Sequence, residues 1–310
     1  MGAPAGALFG FDVGGTLLKT AILGAGGTVR ELGTYPSEAA RGADALLEAI
    51  DSAYRRLVAG CGAPPVGLGV GLPGAVDRAR GRLAGPTPHL PGGERLAVAE
   101  ALSERLGVPV FVGNDANGAA RAEAALGAAR GARCALVVTV GTGVGAGLVV
   151  EGRVHEGRFG GAGEIGHWPI GSGELECRCG VARCAEPDMS GEGLVRACAA
   201  RGLPWDAPES VLGAAAAGDP RAAELVARLA DRLGATLAMA SQLLDCDRVV
   251  LGGGLPSREH FPRARVSEAA ASYLQAWRRP LGFDLVAAEL GSHAGAIGAA
   301  MLAEAERARR

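Results

Sequence analysis

Three of the seven cysteines in the chain lie within one eight-residue segment, at Cys177, Cys179 and Cys184. His167 precedes the first of them by ten residues, so one imidazole and three thiols are available over a short stretch of sequence. Three sulfurs and one nitrogen are a ligand set that binds Zn²⁺ in closed, tetrahedral structural sites. The segment therefore predicts a structural zinc loop, with a group of buried or redox-active thiols as the alternative.

Two further pairs of polar residues have spacings suited to chemistry on a hydroxyl group. Asn114 and Asp115 end a short apolar segment and precede a segment with helical character. A carboxylate in that position can act as a general base, while the amide binds a substrate hydroxyl. Asp is also a good helix N-cap, so a purely structural role for Asp115 is the alternative. Glu164 and His167 stand three residues apart among small residues, which indicates the lining of a pocket.

Three glycine-rich turns follow predicted strands. Backbone N–H groups in such turns can approach a phosphate closely, because glycine has no side chain to exclude it. Asp12 begins the first turn and could bind Mg²⁺ directly or through water, and the third turn suits the close approach of adenine or ribose. Ordinary hairpin or strand-to-helix turns are the alternative for each. The turn residues that could bind a nucleotide are Gly14, Gly15, Thr16, Gly141, Thr142, Gly143, Gly253 and Gly254.

The elements around the first glycine turn argue against two common nucleotide-binding folds. An apolar strand pattern at residues 7–15 ends in the turn and is followed by another strand pattern at 16–23. In a Rossmann unit or a P-loop the glycines open a helix instead. The same succession of strand, turn and strand returns at residues 134–157, which indicates a duplicated unit. Strands that alternate with helices then predict an α/β protein with mixed sheets, arranged as two lobes with a central cleft.

Length and composition limit the classes of protein that fit the sequence. The 310 residues suggest about two domains, and a net charge of −2 without a basic tail gives no nucleic-acid footprint. No apolar stretch reaches the roughly 18 residues that a membrane helix needs. No charged segment precedes the apolar run at the N-terminus, so no signal peptide is predicted. We therefore expect a cytoplasmic protein with reduced cysteines that binds neither nucleic acid nor membranes.

Seven motifs occur in an order that resembles the ROK family of bacterial sugar kinases and related repressors. They are D-V-G-G-T, G-L-P-G, G-N-D-A-N, V-G-T-G-V-G-A-G, G-E-I-G-H, C-R-C-G-V-A-R-C-A-E and L-G-G-G. The resemblance covers nearly the whole chain, from Asp12 to the final helix, and the fifth and sixth motifs are its most specific part. It implies two RNase H-like lobes of the hexokinase–actin type, which close on a sugar and ATP, and a zinc-bound loop.

The resemblance also implies how the chain is divided and how it assembles. A small N-terminal α/β lobe would cover residues 1–115, and a larger α/β lobe with the zinc loop would cover residues 116–293. The last helix, at about residues 294–310, would pack back on the first lobe. A homodimer formed through the larger lobe is expected.

Residue by residue, the resemblance implies a glucokinase-like transfer from Mg-ATP to a hexose, with the 6-hydroxyl as the expected acceptor. Asp115 would be the general base, the first two glycine turns would cradle the ATP phosphates, and the third would approach the adenosine. His167 would bind zinc through one ring nitrogen and the sugar through the other, and Cys177, Cys179 and Cys184 would complete the metal site. The other residues expected to bind sugar hydroxyls are Gly74, Asn114, Glu164 and Glu186.

Two departures from the family pattern leave the identity of the sugar open. Pro88 and His89 stand where the family's glucokinases usually have Pro-Asn, so His89 would present a different donor or acceptor to a sugar hydroxyl. Arg183 replaces the glycine that usually precedes the last zinc cysteine. The alternative substrates are amino sugars (N-acetylmannosamine, N-acetylglucosamine, kanosamine) and C7-cyclitols. ATP is the expected donor, because polyphosphate-using relatives usually lack the cysteine cluster.

A regulatory protein is the alternative from another functional class. ROK-type repressors carry an N-terminal helix-turn-helix before the D-V-G-G-T motif, whereas eleven residues, rich in Gly and Ala, precede Asp12 here. We therefore do not expect a DNA-binding repressor. A sugar sensor without catalytic activity is the remaining alternative, and the presence of Asp115 favours the kinase.

Overall fold

Two five-stranded sheets with helices packed against them form the two units of the structure. The structure is a computed structural model that describes residues 6–61, 64–88, 90–158, 160–274 and 282–309. The first unit comprises Met1–Glu123, Val154–Ala162 and His293–Arg310, and the second comprises Ala124–Arg153 and Gly163–Ser292. The predicted α/β class with mixed sheets is confirmed.

The first sheet combines an antiparallel meander with two parallel strands. The strands of this unit are β1 (Leu8–Val13), β2 (Leu17–Leu23), β3 (Val29–Pro36), β4 (Gly67–Leu72), β5 (Val76–Asp77), β6 (Arg82–Leu83) and β7 (Val110–Asn114). The sheet has the order β3-β2-β1-β4-β7, in which β1, β2 and β3 pair antiparallel and β1, β4 and β7 pair parallel. The first glycine turn therefore joins strand to strand, as its flanking sequence predicts.

The second sheet repeats the order of the first. Its strands are β8 (Cys134–Val140), β9 (Val144–Val150), β10 (Arg153–His155), β11 (Arg248–Gly252) and β12 (Asp284–Ala287). They lie in the order β10-β9-β8-β11-β12, with β8 antiparallel to β9 and parallel to β11. In both sheets the first strand is central and its glycine turn leads to an antiparallel neighbour. The duplication expected from the sequence is therefore confirmed at the level of sheet topology.

The helices lie between and after the strands. They are α1 (Ala43–Cys61), α2 (Val98–Leu106), α3 (Asp115–Leu126), α4 (Glu186–Met189), α5 (Gly191–Ala200), α6 (Pro208–Ala216), α7 (Pro220–Leu244), α8 (Arg263–Tyr273) and α9 (Ala294–Arg307). Asp219 caps the long helix α7, because its Oδ1 accepts a hydrogen bond from the N–H of Arg221 at 2.9 Å and Pro220 occupies the first helical position. Within the described residues, no helix is both long enough and apolar enough to cross a membrane.

One face of α7 lies in the core of the second unit. Leu225, Leu229, Leu233 and Leu237 follow one another at every fourth position and are buried. They belong to the same apolar cluster as Leu136 of β8. Such spacing places the four side chains on one stripe of the helix, and their burial contributes most of the stability that this helix gains.

Small residues let α9 lie directly on the first sheet. Side chains alternate along β1, and Phe9 and Phe11 are fully buried on the face opposite α9. On the α9 face, a Cβ atom at Gly10 would overlap the carbonyl oxygen of Ala296, and one at Gly69 of β4 would overlap the same helix. The glycines of β1 and β4 are therefore needed for this close packing.

The boundary of the first unit differs from the one expected after Asp115. The unit continues through α3 to Glu123 and also contains Val154–Ala162. The reason lies in the contact between α3 and α9, where a Cβ atom at Gly298 would overlap the carbonyl oxygen of Gly118. Because these two helices touch backbone to backbone, the first turns of α3 belong with the first sheet.

Ion pairs hold the inserted segment 154–162 in the first unit. Glu156 pairs with Arg78, in the loop that follows β5, and with Nη2 of Arg121 on α3 at 2.6 Å. Arg78 also pairs with Glu306 of α9. The four side chains are largely buried, so water screens these charges less than it screens pairs at the surface.

Candidate functional site

The carboxyl ends of three parallel strands bring candidate residues of the first unit to one edge of its sheet. Asp12 lies near the end of β1, Gly74 follows β4, and Asp115 follows β7. The register pairs Leu72 of β4 with Asn114 of β7, so these strand ends are level with one another. In open α/β sheets, ligands bind outside the carboxyl ends of the strands.

Asn114 caps the start of α3. Its Oδ1 accepts a hydrogen bond from the N–H of Asn117 at 2.9 Å, and its Nδ2 donates to the carbonyl oxygen of Gly74 at 3.0 Å. The same Nδ2 lies 3.1 Å from Oδ1 of Asp115, which also accepts from the N–H of Ala116 at 2.8 Å. The cap to the third helical residue therefore comes from Asn114, and these contacts fix the orientation of the Asp115 carboxylate.

Two glycines around the turn after β4 make room for this arrangement. A Cβ atom at Gly71 would lie 3.3 Å from Cα of Asp115, a tighter contact than most side chains accept. Gly74 has a φ of +92°, in the left-handed region where a side chain is strained. Pro73 and Gly74 therefore form a tight turn directly after β4, and the carbonyl oxygen of Gly74 accepts the hydrogen bond from the side-chain amide of Asn114.

The first glycine turn is tight and open to solvent. The N–H of Gly14 donates to the carbonyl oxygen of Leu17 at 2.9 Å, which closes the turn between β1 and β2. Gly15 and Thr16 are exposed at its tip. A ligand can therefore reach their backbone and the Thr16 hydroxyl, as a phosphate-binding turn requires.

Asp12 is a half-buried carboxylate against the start of α9. A Cβ atom at Gly295 would lie 2.6 Å from its Oδ2, so only glycine leaves room for the carboxylate there. Burial raises the pKa of Asp12 from 3.8 to about 6, and the positive charge of Lys19, its cross-strand partner, opposes that rise. Burial of a carboxylate costs free energy, and carboxylates with raised pKa values are typical of functional sites. Such a group can bind a cation.

The pKa of Asp12 predicts a pH-dependent gain in stability for Asp12→Asn. Native Asp12 keeps its proton up to about pH 6, whereas the unfolded chain loses it near pH 3.8, so wild-type stability falls as pH rises through this window. The side chain of Asn does not titrate, so the Asp12→Asn variant does not lose stability in this way. In the absence of Mg²⁺ and nucleotide, the unfolding free energy of the variant should therefore increase relative to that of wild type between pH 4.5 and 7.5, by up to about 2 kcal/mol. Denaturant unfolding measures this, and an advantage that is independent of pH would contradict the account.

The second and third glycine turns lie at one edge of the second sheet, after the parallel neighbours β8 and β11. The N–H of Gly141 donates to the carbonyl oxygen of Gly143 at 2.9 Å, which closes the turn between β8 and β9. Gly253 has a φ of +93°, and a Cβ atom there would overlap the backbone of Val140 at the end of β8. A Cβ atom at Gly254 would meet open space. The two turns are thus brought together, as one nucleotide site requires.

The cysteine and histidine side chains form a compact cluster in the second unit. One donor atom from each of His167, Cys177, Cys179 and Cys184 lies within 4.8 Å of the other three. The Cys177 Sγ lies 3.7 Å from Nδ1 of His167, and the sulfurs of Cys179 and Cys184 are 3.4 Å apart. Sulfurs bound tetrahedrally to one Zn²⁺ are separated by about 3.8 Å, so the donor set fits this ion.

The two ring nitrogens of His167 face different partners. Nδ1 faces the cysteine cluster, while Nε2 lies 3.7 Å from Oε2 of Glu164. Burial raises the pKa of Glu164. The charge on His167 lowers this pKa, whereas the charge on Glu186 raises it further. This orientation leaves Nδ1 for a metal and places Nε2 beside a carboxylate that can bind a hydroxyl.

Burial keeps the thiols of Cys177 and Cys184 protonated in the absence of a cation. It raises the pKa of Cys177 to about 12, against an opposing backbone hydrogen bond from Cys179, and it raises the pKa of Cys184 to about 11, which a side-chain hydrogen bond with Cys179 reinforces. A bound metal ion reverses this preference, because it coordinates thiolates. The loop therefore has the convergent donors of a structural site, two of which, Cys177 and Cys184, are buried.

Arg183 adopts an unusual backbone conformation in the cysteine loop. Its φ is +59°, in the left-handed region that glycine enters without steric cost. The side chain itself is exposed. The departure from the family's glycine at this position therefore adds backbone strain but leaves the four donors unchanged.

The structure gathers the predicted residues into one group in each unit. The first unit holds Asp12, Gly14, Gly15, Thr16, Gly74, Asn114 and Asp115. The second holds Gly141, Thr142, Gly143, Glu164, His167, Cys177, Cys179, Cys184, Glu186, Gly253 and Gly254. His89, the remaining predicted sugar ligand, lies outside the described residues. Sequence reasoning missed Gly71 and Gly295, whose signal was a glycine where a strand or helix interior would otherwise carry a side chain.

Comparison with known proteins gives matches along nearly the whole chain. A sequence model of the ROK family matches residues 8–306. A glucokinase from Streptomyces coelicolor is 32% identical over 317 residues, covering 96% of this chain and 98% of that protein. An N-acetylmannosamine kinase from Shigella boydii is 32% identical over 298 residues, with the same coverage. The crystal structure of a ROK family glucokinase from Streptomyces griseus in complex with glucose and AMPPNP has a TM-score of 0.84 and 29% identity, covering 97% of this chain and 100% of that one.

Proposed function

The chain belongs to the ROK family, and we propose that it is a sugar kinase that transfers the γ-phosphoryl group of ATP to the 6-hydroxyl of glucose. The observation that carries this proposal is the placement of Asp115. Its carboxylate follows Asn114 directly, at the edge of the first sheet that also carries Asp12 and the first glycine turn. The glucokinase relatives support glucose as the acceptor.

Asp115 is proposed as the general base. As the sugar oxygen bonds to the γ-phosphorus, the hydroxyl proton passes to the Asp115 carboxylate, and ADP leaves with the electrons of the broken P–O bond. Asn114 orients the base through its 3.1 Å contact and can bind a neighbouring sugar hydroxyl. The chemistry depends on this positioning more than on covalent participation by the protein.

The remaining sugar contacts are proposed for Glu164, His167 and Glu186, together with the backbone at Gly74. Carboxylates accept hydrogen bonds from hydroxyl groups, and Nε2 of His167 offers a donor or an acceptor at the same place. The His167 side chain is held through Nδ1 by the cysteine cluster. The proposed Zn²⁺ would fix the loop and keep this imidazole in one orientation.

The glycine turns are proposed to bind the nucleotide. Backbone N–H groups at Gly14–Thr16 and at 141–143 would cradle the phosphates, and Gly253 and Gly254 would lie against the adenosine. Asp12 would hold Mg²⁺, which neutralises charge on the phosphates when it is bound. Homodimer assembly and a cytoplasmic location belong to the same proposal and rest on the family resemblance.

An amino-sugar kinase is the second candidate. The N-acetylmannosamine kinase relative is as similar to this chain as the glucokinase relative, at 32% identity. An N-acetyl group adds bulk and one amide at carbon 2, so discrimination depends on the residues that face this carbon. A pocket that must lose a hydrogen bond to accept the wrong sugar discriminates strongly.

Comparison of kcat/KM across sugars separates the two candidates. We expect glucose to exceed N-acetylmannosamine, N-acetylglucosamine, kanosamine and a C7-cyclitol by at least about tenfold with Mg-ATP, because each analogue leaves polar groups unpaired. A preference of this size for an amino sugar would replace glucose with the second candidate. Absence of turnover with every member of the panel would contradict the kinase proposal itself.

A further inference from the structure

Glu186 joins the cysteine cluster to the second glycine turn. It is the first residue of α4 and follows Cys184 by two positions. Its Oε2 accepts a hydrogen bond from the N–H of Val144 at 2.9 Å, directly after the turn at 141–143. Its Oε1 lies 3.6 Å from Sγ of Cys177. One carboxylate therefore contacts the cluster with one oxygen and the turn with the other.

Glycines on both sides shape the space that this carboxylate occupies. A Cβ atom at Gly143 would lie 2.6 Å from Oε2 of Glu186. A Cβ atom at Gly166 would lie 2.9 Å from the carbonyl oxygen of Val144 and 3.6 Å from Cβ of Glu186. Because glycine is needed at both positions, the contact is built into the packing and does not depend on a mobile surface rotamer.

The other end of the turn is attached to the first residue of α5, two positions after α4 ends. The N–H of Gly191 donates to the carbonyl oxygen of Gly141 at 2.8 Å. The N–H of Ala185, just before α4, donates to the carbonyl oxygen of Trp168 at 3.0 Å, next to His167. The segment from Glu186 to Gly191 therefore holds the turn at both ends, and Ala185 fixes this segment to the part of the chain that carries the histidine of the cluster.

We propose that Glu186 is a positioning residue for the nucleotide, because it transmits the order of the metal-binding loop to the phosphate-binding turn at 141–143. This role is additional to sugar binding and rests on the proposed function of that turn. A carboxylate that accepts from a backbone N–H makes a strong, charge-assisted hydrogen bond. Without it, the Val144 N–H loses its partner and the turn relaxes away from the shape that receives a phosphate.

The test measures the affinity for Mg-ADP in the absence of sugar, by calorimetry on the full-length, zinc-loaded chain. Glu186→Ala should weaken binding about fivefold, the equivalent of one hydrogen bond. Glu186→Gln should stay within about twofold of wild type, since its amide oxygen can still accept from Val144. Glu176→Ala is the matched control, because Glu176 is a glutamate that directly precedes Cys177 in the same loop and its side chain is exposed. It should leave the affinity for Mg-ADP unchanged.

The outcomes separate this inference from the proposed function. Binding of Mg-ADP by Glu186→Ala at wild-type affinity would overturn the positioning role, as would equal weakening by Glu176→Ala. If the Ala variant does not fold, Glu186→Asp gives the same readout, because its shorter side chain draws the carboxylate back from Val144. Failure of the wild-type protein to bind Mg-ADP would instead contradict the proposed function.

Discussion

Replacement of Asp115 by Asn is expected to lower kcat for glucose by about 10²–10⁴-fold, the usual contribution of a general base. The amide is nearly the same size as the carboxylate but cannot accept the hydroxyl proton in the transition state. Its Oδ1 can still accept from the N–H of Ala116, so the start of α3 should keep its geometry. Steady-state kinetics should therefore show a loss in kcat that is much larger than any change in KM.

Asp44→Asn is the matched control for this variant. Asp44 is also an aspartate in the first turn of a helix of the first unit, and its side chain is exposed. It should lose a few tenths of a kcal/mol of helix-dipole stabilisation, roughly the lower end of such effects, and keep full activity. A folded Asp115→Asn protein with more than about a tenth of the wild-type kcat would contradict the assignment of the base.

Replacement of Cys184 by Ser is expected to abolish stoichiometric zinc and most of the activity. Cys184 is buried within the cluster, and serine supplies a poor ligand for Zn²⁺. Zinc content should fall from one ion per chain to a small fraction, and kcat/KM should fall at least about 100-fold, because the loop orients His167 and Glu186. Metal analysis and the coupled assay on the same preparation measure both effects.

Cys134→Ser distinguishes the cluster from cysteine loss in general. Cys134 lies in the second unit but outside the cluster, and its Sγ donates to the carbonyl oxygen of Leu244, a contact that serine can also make. This variant should retain zinc and activity. Full activity in zinc-free wild-type protein, or an unchanged zinc content in Cys184→Ser, would show that the cluster is not a required metal site.

The features that the sequence predicted well are those carried by neighbouring residues. The turn from Asp12 to Thr16 is flanked by β-branched and apolar residues, so its strands could be read directly. The cysteine cluster was predictable because its three thiols lie within one loop. The repeated succession of strand, turn and strand also gave the duplicated sheet topology, since equivalent local patterns form equivalent sheets.

The features that the sequence did not predict depend on contacts between distant residues. The hydrogen bond between Val144 and Glu186 spans 42 residues, and nothing in either segment specifies the other. The close approach of α9 to Asp12 at Gly295 joins the two ends of the chain, and the burial that raises the pKa of Asp12 likewise has no local signal. The end of the first unit beyond Asp115 likewise follows from packing between α3 and α9, which no local pattern encodes.

Phosphorus NMR of one reaction mixture tests the central claim, that this chain transfers a phosphoryl group from ATP to a sugar hydroxyl. The mixture contains the purified, zinc-loaded protein, Mg-ATP and glucose. We expect one new phosphomonoester resonance, that of glucose 6-phosphate, which grows in equal amount with ADP. Release of inorganic phosphate without a sugar phosphate, or no consumption of ATP with any sugar of the panel, would contradict it.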